Sequence, residues 1–149
     1  MISRKKIIQT AAMTAAMLSA GSQIFAKDHE HKSDSTEPES DGKYTKAMQA
    51  AVKCRLSAEI CIAHCISEMG KGNKDLEQCA RTASDVKATC EAFITMASTG
   101  SGFTKQMAEL CIKICKACEK ECKKHASHHS FCKDCMTDCR SCAKELAKV

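Results

Sequence analysis

The residues of this chain best equipped for chemistry are its cysteines, thirteen in 149 residues. They fall into four groups: Cys54, Cys61 and Cys65; Cys79 and Cys90; Cys111, Cys115, Cys118 and Cys122; Cys132, Cys135, Cys139 and Cys142. Within the groups the spacings are 7 and 4, then 11, then 4, 3 and 4, then 3, 4 and 3. Each of these steps returns to nearly the same face of an α-helix. Cys54, Ala58, Cys61 and Cys65 therefore form one seam, and Cys79, Ala83, Val86 and Cys90 a second. The third and fourth groups each fill four consecutive core positions, and Leu146 and Val149 extend the last stripe. Sulfur takes the place that Leu usually has in a helical core.

Such seams need long helices to carry them. One Pro and six Gly leave few breaks, and Ala, Lys, Glu, Met and Gln fill the spaces between the cysteines. Gly70-Lys71-Gly72 and Gly100-Ser101-Gly102 punctuate the chain, and Asn73 and Ser127 offer N-caps. These signals predict helices over about 45–69, 73–98, 104–125 and 128–146. Short connections make neighbours antiparallel, so the expected fold is all-α, an antiparallel four-helix bundle with a cysteine-lined core.

Ahead of the helices, Arg4, Lys5 and Lys6 precede the weakly apolar run Ile7 to Phe25 and the small residue Ala26. This pattern predicts an export signal over 1–26, a polar leader over 27–43 and a metal-storage domain over 44–149. The protein is then expected to be exported and periplasmic. Setting the three basic residues aside lowers the formal charge from +5 to +2. With charges interspersed and few aromatics, no nucleic-acid partner is expected. No apolar run is long enough for a membrane span. Beyond residue 26 only sixteen residues are Leu, Ile, Val or Phe, so the cysteines must belong to the core.

Four readings of the cysteines compete. As small buried hydrophobes they would pack a bundle worse than Leu, which makes eight consecutive core slots on two helices hard to explain. As disulfides they leave one thiol over, and neighbours at i,i+3 and i,i+4 bridge only with distortion. A disulfide-stapled helical structural or interaction module nevertheless stays open. Cys115-x2-Cys118-x13-Cys132-x2-Cys135 scans as a zinc pattern, so a zinc-type thiolate detoxification protein is a further alternative. Each tetrathiolate zinc site, however, carries a net negative charge that is costly to stack in a core. Cu(I) avoids this: with thiolates bridging pairs of monovalent soft ions, metal and sulfur balance near neutrality, on the order of one ion per cysteine. That is the stoichiometry of storage. No Ser/His/Asp set, paired carboxylates or phosphate loop points to an enzyme.

Cys54-x6-Cys61-x3-Cys65 with His64-Cys65, Gly102-Phe103-Thr104, Cys115-x2-Cys118-x3-Cys122 and Cys132-x2-Cys135-x3-Cys139-x2-Cys142 resemble the bacterial copper storage proteins. The resemblance covers about 44–149. It implies a four-helix bundle that fills with Cu(I) along its core and admits metal past His and Met at an open end. It also implies a homotetramer in the exported members, whose signals are of the twin-arginine type. Ser3-Arg4-Lys5-Lys6 has a single Arg, so the twin-arginine and general secretory routes both stay open.

In an antiparallel bundle the third and fourth helices bring His125, His128 and His129 to one mouth, where Met69 also lies. His125 and His128 extend the cysteine stripes and, with Met69, could pass Cu(I) to the thiolates; a solvated loop is the plainer reading. Met48, Met96 and Met107 sit at the other mouth, and Met48 is kept as a candidate ligand although it lies off the seam. His64, about 100° from its seam, is expected on a flank or at the surface. Ile62 with Ile66, and Leu110 with Ile114, either complete the packing or form a subunit interface. The expected partners are copper ions, further copies of the chain and a cuproenzyme or chaperone that receives copper.

Overall fold

A computed structural model describes residues 42–149; the expected export signal and all but the last two residues of the expected leader lie outside them. Four helices follow in order: α1 Thr45–Gly70, α2 Glu77–Ser98, α3 Thr104–Lys123 and α4 Ser130–Leu146. Each packs against its neighbours in a ring, α1 on α2 and α4, α3 on α2 and α4. No described helix is long and apolar enough to cross a membrane.

The turns end the helices as the glycines require. Gly72 and Gly100 take φ of +98° and +65°, a left-handed conformation that costs glycine little. Past each, the chain bonds back into the last turn: Asn73 N–H to Glu68 O at 3.1 Å, and Ser101 N–H to Met96 O at 2.9 Å. This is the Schellman arrangement. Buried Thr104 then closes the α2–α3 turn by donating its hydroxyl to Ser101 O at 2.7 Å.

The starts of α2 and α4 differ from expectation. Asn73 heads a 3₁₀ turn, Lys74–Leu76, without a side-chain cap bond, and α2 begins only at Glu77. That turn delivers Leu76 fully buried into the core. Ser127 is not the cap of α4; His129 takes that position in extended conformation. Residues 124–129 form a tight turn in which His125 O accepts from the N–H groups of His128 and His129 at 3.1 and 2.9 Å.

All thirteen cysteines are completely buried, together with seven alanines and only four large apolar side chains, Leu76, Val86, Phe93 and Leu146. The helical seams thus point inward as their phase demands. Ile62 and Ile114 pack half-buried against this core, while Ile66 and Leu110 are 58% and 45% exposed.

One buried carboxylate ties α1 to α4. Asp138 lies between Cys135 and Cys139 on the chain, accepts from the Ser57 hydroxyl, and pairs with Lys53 Nζ at 2.9 Å. Removing a donor from a buried acceptor costs about 1–3 kcal/mol. S57A is expected to destabilise the reduced, metal-free bundle by about 1–2 kcal/mol in anaerobic urea unfolding, and an unchanged midpoint would deny the clasp any role.

Candidate metal centre

The seams converge into a continuous file of sulfur. At one end Cys61, Cys65, Cys79 and Cys132 place their Sγ atoms within 4.8 Å of one another, and at the other Cys54, Cys90, Cys115 and Cys142 do the same. Between them lie two triplets, Cys61/Cys122/Cys135 and Cys118/Cys135/Cys139. Cys61 and Cys135 each belong to two groups. Cys79 to Cys122 is 3.5 Å, Cys118 to Cys135 is 3.8 Å and Cys54 to Cys139 is 3.7 Å, which links the groups end to end. Cys111 lies in none of the four groups but joins the file at 3.6 Å from Cys90.

All thirteen are free thiols, and their sulfur contacts are van der Waals separations rather than covalent bonds. Isolated tetrahedral zinc sites need exclusive sets of four. Here the middle of the file has only triplets that share sulfurs, which suits bridging thiolates and soft monovalent ions.

Protonation follows from the packing. Thiol neighbours hold the Cys139 proton well above the usual range, Cys115 most strongly and then Cys118, Cys135 and Cys54, with burial adding. Cys122 is raised in the same way, first by Cys118. Cys115 is lowered because Cys111, Cys139, Cys142 and Cys54 hydrogen-bond its thiolate, and Cys135 is lowered first by Cys118 and then by Cys122. Cys65 is lowered likewise, first by Cys132. Metal ligation must displace the protons that remain.

The raised thiols Cys54, Cys61, Cys79, Cys90, Cys122, Cys132, Cys139 and Cys142 outnumber the lowered Cys65, Cys115 and Cys135. A lowered thiol adds stability as pH rises up to the unfolded value of about 8.5, and nothing further above it. A raised thiol stabilises the fold below about pH 8.5 and loses that contribution as pH climbs toward its folded value. The metal-free, reduced bundle is therefore expected to lose stability between about pH 8.5 and 10. The check is the anaerobic urea midpoint, which should fall over that interval.

At the mouth where α1 and α3 end, the structure rearranges the expected histidines. His128 is exposed, whereas His129 is half-buried. His64, expected on a flank or at the surface, is half-buried and meets His129 across the mouth, Nε2 to Nδ1 at 2.8 Å. Its ring also lies 5.1 Å from that of Phe131. His125 is 6.5 Å from His129, ring to ring, and its buried Nε2 has no hydrogen-bond partner among the described residues. Met69 at this end and Met48 at the other are half-buried against the core. A histidine one residue before a core cysteine was the only sequence signal for His64, and helical phase argued against it.

The copper storage protein family, Csp, matches residues 40–149. The chain belongs to the copper storage protein family. The cysteine-rich protein YhjQ of Bacillus subtilis, which carries no assigned function, is 30% identical over 108 residues, 72% of this chain and 96% of YhjQ. Apo copper storage protein 3 from Bacillus subtilis superposes with a TM-score of 0.62 at 27% identity, over 69% of this chain and 94% of its own. The Streptomyces lividans copper storage protein loaded with 10 copper equivalents gives 0.66 at 28%, over 76% and 90%. The four-helix fold is thus shared with solved members of this family, and the expected all-α, cysteine-lined bundle is what the chain forms.

One expectation is corrected. A cytosolic copper storage protein of Streptomyces lividans is among the neighbours, at a TM-score of 0.65 and 28% identity. Copper storage on this fold does not require an oxidising or exported setting, so the exported, periplasmic location is not supported. A basic cluster before a weakly apolar run is a compositional pattern, and it does not establish export.

Proposed function

We propose that residues 44–149 form a storage domain for Cu(I), held by Cys54, Cys61, Cys65, Cys79, Cys90, Cys111, Cys115, Cys118, Cys122, Cys132, Cys135, Cys139 and Cys142. The observation that carries this reading is the unbroken file of buried sulfur with Cys61 and Cys135 shared between groups. Shared sulfur lets each ion take two thiolates while each thiolate serves two ions, which keeps the filled core near neutral. Solved relatives named as Cu(I)-bound or copper-loaded support it. The protein then acts by sequestration and release and performs no catalysis, and a cuproenzyme or copper chaperone is the recipient.

His125, His128 and Met69 offer weaker ligands at the mouth above Cys65 and Cys132, through which copper reaches the thiolates; Met48 would serve the opposite end. Assembly as a homotetramer is supported by Val52, Leu56, Ile60 and Ile66 on α1, between 44% and 58% exposed. Apolar side chains grouped in this way mark contact surfaces.

Anaerobic titration of the reduced protein with Cu(I) against a chromogenic chelator tests the reading. Uptake on the order of one ion per cysteine is expected. Saturation after one or two ions would overturn it.

A further inference from the structure

Residues 42–149 contain eighteen Lys and Arg against twelve Asp and Glu. Along the chain these charges are interspersed, but the helices sort them. Around much of the bundle a basic side chain meets a carboxylate: Arg55 with Glu91, Lys87 with Glu59, Arg81 with Glu77. The outer side of α3 and α4 breaks that rule. Lys113, Lys116, Lys120 and Lys123 recur on α3 at spacings of 3, 4 and 3, a stripe about 15 Å long. Lys113 and Lys120 each follow a core cysteine by two residues, about 200° around the helix, and so point away from the core. Lys133 and Lys144 stand on α4, which packs alongside. All six are exposed, and none has an ion-pair partner among the described residues.

Helix stability does not account for this pattern. A helix dipole favours cations near the C-terminus, which covers Lys120 and Lys123 in the last turn of α3. Lys113 and Lys116 lie well before that turn. Lys133 stands at the start of α4, where the dipole opposes a cation and the first turn holds no acidic residue. Like charges four residues apart, as at Lys116 and Lys120, also repel each other. Negative charge brought by a partner would relieve both costs.

We propose that this face is the docking surface for an acidic patch on the protein that exchanges Cu(I) with the core. The cargo rests on the storage reading above, whereas the charge pattern stands without it. Lys123 is the last residue of α3 and Lys133 the fourth of α4, so the stripe runs to the mouth over Cys65 and Cys132. A partner seated on it brings its metal to that opening. A protein patch fits better than a nucleic acid or a membrane. Glu119, 26% exposed, interrupts the lysines where it pairs with Arg140, and a continuous phosphate backbone would meet that carboxylate. Phe131, the sole Phe, Tyr or Trp of α3 and α4, turns toward His64 of α1, 5.1 Å ring to ring. Nothing beside the lysines is left to stack on bases or enter a bilayer. Hydrated, flexible ammonium groups steer an encounter without locking it, which suits a partner that must leave again.

Two Cu(I)-loaded synthetic peptides test this, sharing one Cys-x2-Cys sequence that is flanked by glutamates in one and by glutamines in the other. Anaerobic stopped-flow follows copper passing to the reduced, metal-free protein. At about 0.01 M ionic strength, where charges act over about 30 Å, the glutamate peptide should deliver about tenfold faster. At about 1 M, where they act over about 3 Å, the two rates should coincide. K116Q/K120Q/K123Q/K133Q should remove the glutamate advantage while leaving the glutamine peptide's rate and the copper capacity unchanged. K43Q/K46Q/K105Q/K148Q takes the same charge from the opposite end of the bundle and should keep the advantage. Equal rates from both peptides at low salt, or equal loss in the two variants, would overturn the proposal. So would tighter binding of duplex DNA or of phosphatidylserine vesicles than of the metal-free glutamate peptide at about 0.15 M salt. Fluorescence anisotropy of that metal-free peptide on wild type and both variants reads the face alone. A failure of the storage reading shows separately, as a low copper count from either peptide.

Discussion

Copper loading is expected to raise the melting temperature of the reduced bundle by tens of degrees. The metal-free fold has little to hold it. Its core contains four large apolar side chains, with alanine and thiols in the remaining buried positions, and a buried thiol offers far less apolar area than Leu. The ion pairs between helices, such as Arg55 with Glu91 at 3.1 Å and Arg140 with Glu119 at 2.8 Å, sit on exposed surface and contribute little. Ligands that bind only the native state add RT ln(1 + [L]/Kd) each, about 4 kcal/mol at a thousandfold excess over Kd. Three such ions contribute about 12 kcal/mol, and each kcal/mol moves the midpoint of a domain this size by about 4–8 °C. Anaerobic calorimetry of the metal-free and copper-saturated protein makes the comparison. Coincident melting curves would mean that copper does not bind the folded core, and the storage reading would fall with them.

The cysteine core was readable from sequence because one physical rule governs it. Spacings of 3, 4, 7 and 11 have only one common solution at 3.6 residues per turn, and all thirteen cysteines occupy the buried positions that this solution assigns. Helix ends obeyed a rule as well, where glycine carried it: Gly72 and Gly100 terminate α1 and α2 through positive φ. Helix starts did not. Asn73 and Ser127 have the right side chains for caps, yet a 3₁₀ turn and a tight turn intervene, and the chain supplies Leu76 and His129 there instead. A cap signal is local, whereas those turns are set by where α2 and α4 must enter the ring.

The mouth was the least legible part for the same reason. Phase set His64 off its seam, which is true of the helix taken alone. It becomes half-buried because the turn over 124–129 brings His129 across to meet it. Conversely, His128 continues the α4 stripe on paper but precedes the first helical residue, so helical phase does not apply to it and it faces solvent. Asp138 likewise follows from no pattern, since its burial depends on Ser57 and Lys53 of α1.

The largest difference among core variants is expected between shared and unshared sulfurs. Cys135 belongs to two triplets and Cys61 to a quartet and a triplet, while Cys111 stands at the edge of the file against Cys90. If each ion needs two thiolates, removing a sulfur that bridges two ions strands both, and a terminal sulfur strands one at most. C135A and C61A are therefore expected to lower copper capacity by about two ions or more, and C111A by about one or less. All three lose a similar small volume from the same core, so their metal-free stabilities should differ by no more than about 1 kcal/mol. The measurement is the chelator-competition titration run on each variant at equal protein concentration, beside anaerobic urea unfolding of the metal-free forms. Equal copper losses at all three positions would show that the thiolates act as independent ligands. The file of sulfur would then be a row of separate sites, and the near-neutral bridged core would have to be abandoned.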